Sequence, residues 1–140
     1  PVKGILPVFP VVQAHKSTPA RPVLDFTPLN DLVESEPGRS VKSCVDTLRR
    51  WRSMGVRCKL LDIRKACLQV RLSTDLQSYQ CVVVKDKIFV MSRIAFGLSI
   101  ARKVLDAIVE FVIFSSGFPV DSCDGYVDDI LVDESLQSAT

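Results

Sequence analysis

The chain has 140 residues, 47% apolar and 24% charged, which suits one domain with a real core and excludes both a disordered tail and a complete multidomain polymerase. Its net charge of +2 leaves any nucleic-acid binding to local clusters of Lys and Arg rather than to a basic total. Five cysteines with no CxxC spacing and no signal peptide read as reduced thiols in an intracellular, cytoplasmic protein, and no apolar run approaches the roughly 20 residues of a membrane span. A start at Pro1 and a stop at Thr140 without a polar tail read as a piece cut from a longer chain.

Val8 to Val12 and Arg21 to Phe26 are extended apolar runs around a polar loop with His15 and Lys16, which predicts a hairpin. Pro28, then Glu36, Pro37 and Gly38, mark a connection. A helix is expected from a Ser40 cap to Gly55, with Val41, Cys44, Val45, Leu48, Trp51 and Met54 at helical spacing. Its basic face of Lys42, Arg49, Arg50 and Arg52 is either solvated or a phosphate contact.

Arg57 to Ile63 reads as a strand with Asp62 at its far end, and Lys65 to Gln69 as a short helical turn. Gln80 to Val84 and Ile88 to Ser92 read as strands joined by a turn at Lys85 to Lys87. Leu98 to Phe114 is expected to be a core helix with Ile100, Ala101, Val104, Leu105, Ile108, Val109 and Val112 on its buried stripe and Gly117 past its end. Strands and helices do not alternate strictly, so the expected class is α+β, one antiparallel sheet backed by helices. In that layer Asp62 ends a central strand.

The last element, GYVDDILVD (Gly125 to Asp133), places Asp128 and Asp129 between two apolar runs. Taken alone, such a doublet reads first as a solvated hairpin tip and second as ligands to a hard divalent cation. With Asp62 on a neighbouring strand, the three acids have the composition of a two-metal phosphoryl-transfer site.

Four segments, ARPVLDFTPLN (Ala20 to Asn30), KLLDIRKACLQVRL (Lys59 to Leu72), RIAFGLSIARKVLD (Arg93 to Asp106) and GYVDDILV, stand in the order found in reverse transcriptases. Across almost its whole length the chain resembles the fingers and palm of an RNA-directed DNA polymerase from a long-terminal-repeat retrotransposon, Bel/Pao-like first and Gypsy-like next. The resemblance implies one fingers and palm domain over 1–140, an antiparallel palm sheet backed by helices, cut after the YVDD hairpin with the thumb absent. It implies two Mg²⁺ ions, or Mn²⁺, held by Asp62, Asp128, Asp129 and the backbone carbonyl of Ile63, with the three aspartates catalytic. Lys16 and Arg21 are the implied triphosphate cations, Lys65 and Ala66 the backbone approach to it, and Phe96 with Gly97 the base-pair platform.

Cys67 falls where the family carries the ring that excludes a 2′-hydroxyl, so weakened discrimination against ribonucleotides is expected. Ala95 and Arg102 stand where prolines are usual, and Thr27 and Pro28 where an Arg and a polar residue are usual. The implied partners are an RNA or DNA template with its primer, deoxynucleoside triphosphates and the rest of a retrotransposon polyprotein, in virus-like particles and with no membrane. Two alternatives remain at this stage: an inactive, truncated remnant still binding nucleic acid, and an unrelated sheet-stacking RNA module. The latter has only the single aromatic of AFGL to offer.

Overall fold

The computed structural model describes residues 1–34, 42–119 and 121–135. The chain divides into two compact units, Pro1–Glu36 with Cys67–Ala101, and Pro37–Ala66 with Arg102–Thr140.

In the first unit, β1 (Val8–Val12) and β2 (Ala20–Leu24) pair antiparallel, Val12 opposite Ala20 and Val8 opposite Leu24. Four-residue helical turns follow: α1 (Thr27–Asn30), with Pro28 where the first turn tolerates a missing N–H, α3 (Ala66–Gln69), whose first residue belongs to the second unit, and α4 (Thr74–Gln77). A second hairpin joins β4 (Cys81–Val84) to β5 (Lys87–Val90). Its two loop residues, Lys85 and Asp86, have φ of 49° and 59°, the double left-handed turn that matches the twist of paired strands. Leu6, Phe26 and Ala95 are buried together, with Leu24, Leu29, Val82, Met91 and Leu98 packed around them.

In the second unit, α2 (Cys44–Ser53) precedes β3 (Cys58–Asp62), and α5 (Ala101–Ser115, whose first residue belongs to the first unit) precedes the hairpin of β6 (Cys123–Tyr126) and β7 (Asp129–Asp133). The sheet order is β3-β7-β6, both pairings antiparallel. Asp46 in the first turn of α2 and Arg50 and Arg52 in its last complement the helix dipole. Gly125 lets β6 approach α5: a Cβ there would stand 2.7 Å from Val109 Cγ1.

The α+β class with antiparallel sheets and helices holds, with several differences from the sequence expectation. The described strands form three small sheets rather than one layer, because pairing between distant segments is not written in local periodicity. β3 is an outer strand, and β7 the central one. The described start of α2 is Cys44 after Ser43, while Ser40 and Val41 lie outside the described residues. Its apolar stripe is not its buried face: Thr47 is buried, whereas Val45 and Leu48 are exposed. On α5 the buried residues are Ala101, Leu105 and Val109, while Ile108 and Val112, and Ile100 just before the helix, are exposed, so a narrower stripe is covered than the pattern predicts. All five cysteines are free thiols. Among the described residues no helix is long and apolar enough to cross a membrane.

Candidate active site

The β3–β7 register sets Asp62 directly opposite Asp129. The Ile63 amide donates to the Asp128 carbonyl at 2.7 Å, carrying the ladder one step into the hairpin turn. That flanking bond marks Asp62 and Asp129 as a non-hydrogen-bonded pair, the type in which opposed Cα atoms lie about 4.5 Å apart and side chains leave the same face. Asp128 occupies the second position of the two-residue turn, after Val127 at φ 58°. Glycine is the usual residue at a left-handed first turn position; a β-branched residue held there costs on the order of 1–3 kcal/mol.

Like charges directly opposed on a sheet repel. No described residue donates a hydrogen bond or ion pair to the carboxylates of Asp62, Asp128 or Asp129; Asp62 is exposed and the other two are half-buried. Among the described residues, no three His, Cys, Asp or Glu side chains stand ready to hold a metal ion. What the backbone brings together is therefore two carboxylates, Asp62 and Asp129, with Asp128 beside them in the chain. Mg²⁺ is commonly bound through one or two carboxylates plus water and substrate phosphate rather than by an all-protein cage, so this hard-oxygen donor set fits it. The Ile63 carbonyl accepts the Ala66 amide at 3.1 Å and keeps a second lone pair.

The Asp124 carboxylate is 4% exposed and binds Lys42 Nζ at 3.0 Å and Trp51 Nε1 at 2.9 Å, with Arg50 Nε at 3.8 Å. Lys42, which precedes α2, and Arg50 on it thus serve the fold, Arg49 pairs with Asp46 one turn back, and Arg52 is exposed. Asp133, 3% exposed, accepts the Gly55 amide at 2.7 Å and the amide and hydroxyl of Ser135. The Ser135 hydroxyl, then the Gly55 and Ser135 amides, hold its carboxyl below the usual carboxylate range. Burial, then the Asp133 charge, pushes the Cys58 thiol up. Arg102 donates to the Lys42 carbonyl at 3.0 Å and lies 4.8 Å from the Tyr126 ring centroid, beside the hairpin turn. Lys65 is exposed at φ 53°.

The remaining sequence candidates lie in the first unit, apart from Ala66. Lys16 and Arg21 are exposed, Lys16 in the β1–β2 loop after His15 at φ 69° and Arg21 opposite Val11. Phe96 is exposed, and Gly97 sits at φ 107° with its would-be Cβ 3.0 Å from the Phe26 ring, a place that only glycine fills without strain. Ala66 and Cys67 are buried, so the Cys67 thiol has the environment of a small core residue.

Two features escaped the sequence reading. Asn30 donates to the Gly97 carbonyl at 2.9 Å and accepts the Ser99 amide at 2.7 Å, clasping the loop that carries Gly97. Asp124 lies one residue before the GYVDD stretch, and the signal for its role was the Trp51 indole of α2 and the Lys42 cation before it.

No protein-family model and no curated protein matches this chain. Solved structures do. A native protease-reverse transcriptase of prototype foamy virus is similar over 95% of this chain and 17% of its own, at TM-score 0.76 and 16% identity. A foamy viral protease-reverse transcriptase in complex with dsDNA matches 91% of this chain and 25% of its own, at TM-score 0.73 and 19% identity. One in complex with an RNA/DNA hybrid matches 91% and 16%, at TM-score 0.71 and 20% identity. The chain thus spans between about a sixth and a quarter of those proteins' length. The fold of this chain is reverse-transcriptase-like.

Proposed function

We propose that the chain is the fingers and palm portion of an RNA-directed DNA polymerase from a long-terminal-repeat retrotransposon, Bel/Pao-like first and Gypsy-like next, acting within the polyprotein in cytoplasmic virus-like particles. The observation that carries it is the register that opposes Asp62 to Asp129, with Asp128 in the adjoining turn. The neighbours solved with dsDNA and with an RNA/DNA hybrid support a primed template as partner.

In this reading Asp62, Asp128, Asp129 and the Ile63 carbonyl hold two Mg²⁺ ions, or Mn²⁺. When bound, the metal supplies Lewis acidity to the primer 3′-hydroxyl and charge neutralisation to the departing pyrophosphate. The chain's own contribution is positioning. Lys16 and Arg21 grip the triphosphate, Arg21 through two bonds and Lys16 as a point charge. Lys65 and Ala66 approach the triphosphate, and Cys67 sits near the sugar. Phe96 and Gly97 form the platform for the nascent pair, which the Asn30 clasp keeps at one height.

The test is a titration of Mg²⁺ and Mn²⁺ followed by thermal unfolding. The wild type is expected to gain stability with metal while Asp128→Asn and Asp62→Asn gain none; equal curves for all three with and without metal would remove the metal site. One observation favours a second outcome. The three acids are not preassembled and family positions are altered at Thr27, Pro28, Cys67, Ala95 and Arg102, as in a catalytically silent remnant that still binds nucleic acid. Primer extension with and without ribonucleotides separates the two.

A further inference from the structure

We propose that Arg71 and Arg93 form a phosphate-binding site for the backbone of a polynucleotide strand, distinct from the residues assigned to the triphosphate; it rests on the polymerase reading above. The two arginines face each other in an isolated antiparallel bridge. The Leu72 amide donates to the Ser92 carbonyl and the Ile94 amide to the Val70 carbonyl, both at 3.0 Å. These bonds flank the arginines, so they too are a non-hydrogen-bonded pair, the arrangement with the closer side chains. Ile94, next in the chain to Arg93, is 5% exposed and marks the core side of the bridge. By alternation both arginines leave the opposite face, Arg71 exposed and Arg93 half-buried.

One Arg93 nitrogen donates to the Gln69 carbonyl at 2.7 Å, which fixes the guanidinium while leaving it further donors. That tie accounts for Arg93 but not for a second Arg opposite it, where like charges repel. No ion pair within the described residues involves either one. Guanidinium forks match phosphate oxygens two at a time. Because Arg71 is exposed and Arg93 half-buried, the gain comes from displacing condensed counterions along a polyanion, which a free phosphate does not offer.

The experiment is fluorescence polarisation of a labelled RNA/DNA primer-template across a salt series, with the full chain. Arg71→Gln is expected to bind about threefold to tenfold more weakly, and to lower the slope of log affinity against log salt by about one. Arg71→Lys should keep most of the slope and recover part of the affinity. Arg71 is exposed and its side chain bonds nothing among the described residues, so its variants should melt as the wild type does. Unchanged affinity and slope in Arg71→Gln would overturn the proposal, as would a wild type that binds no primer-template. So would displacement of the duplex by millimolar inorganic phosphate from wild type but not from Arg71→Gln, which would make this a site for free anions. Metal response and Arg71 dependence are read separately. Loss of the first alone defeats the polymerase reading, and loss of the second alone defeats the arginine site.

Discussion

The β6–β7 hairpin carries acids at both ends, and the two ends treat them oppositely. Away from the turn, Asp124 and Asp133 are sunk to 4% and 3% exposure, and every charge is answered: by Lys42 and Trp51 in one case, by Gly55 and Ser135 in the other. At the turn, Asp128 and Asp129 are half-buried, Asp129 stands opposite Asp62, and neither carboxylate takes a partner among the described residues. Buried carboxylates need partners because desolvation is expensive, and the fold supplies them at one end only. Acids left to repel one another at a rigid position are available to an outside cation in a way that the satisfied pair is not.

That contrast predicts a ranked series of effects. Asp124→Ala should be the most damaging, because it strands the Trp51 indole and Lys42; we expect a loss of about 2–3 kcal/mol in urea unfolding, discounted because Lys42 is partly exposed. A loss below about 0.5 kcal/mol would erase the difference between the ends.

Asp133 sharpens the comparison through pH. A carboxyl more acidic in the folded than in the unfolded chain binds fewer protons when folded. Its stabilisation is therefore full above the unfolded value of about 3.9 and is lost as pH falls through the lower folded value. Melting followed from neutral to acid pH should show a decline below about pH 4, and Asp133→Asn should start lower and decline less.

The smallest effect belongs to Asp62→Asn. Without metal it removes a like-charge opposition and should leave stability unchanged or raise it by a few tenths of a kcal/mol. A destabilisation in chelator would mean that Asp62 has a structural partner after all.

How far the sequence carried these conclusions depended on how local the signal was. The hairpins were legible because turn residues sit between short apolar runs, although the last turn falls at Val127-Asp128, one residue before the Asp128-Asp129 doublet that marked it in the sequence, and Asp129 opens β7. The helix at Thr74–Gln77 was missed because one turn is too short to display a period. The apolar stripe of α2 was visible, yet a stripe does not say what covers it, and Thr47 is buried instead of Leu48. The facing of Asp62 and Asp129 came from motif order rather than from any local pattern. The partners of Asp124 came from neither, since they are joined across 73 and 82 positions of chain.

Val127 adds a mechanical consequence. A branched side chain that would relax if released acts as a loaded hinge, so the hairpin tip keeps its shape only while the neighbouring strand clamps it. Fraying of β3 would let the hinge spring and swing the doublet away from residue 62, which makes the spacing of the acids a property of the whole small sheet and not of the turn alone.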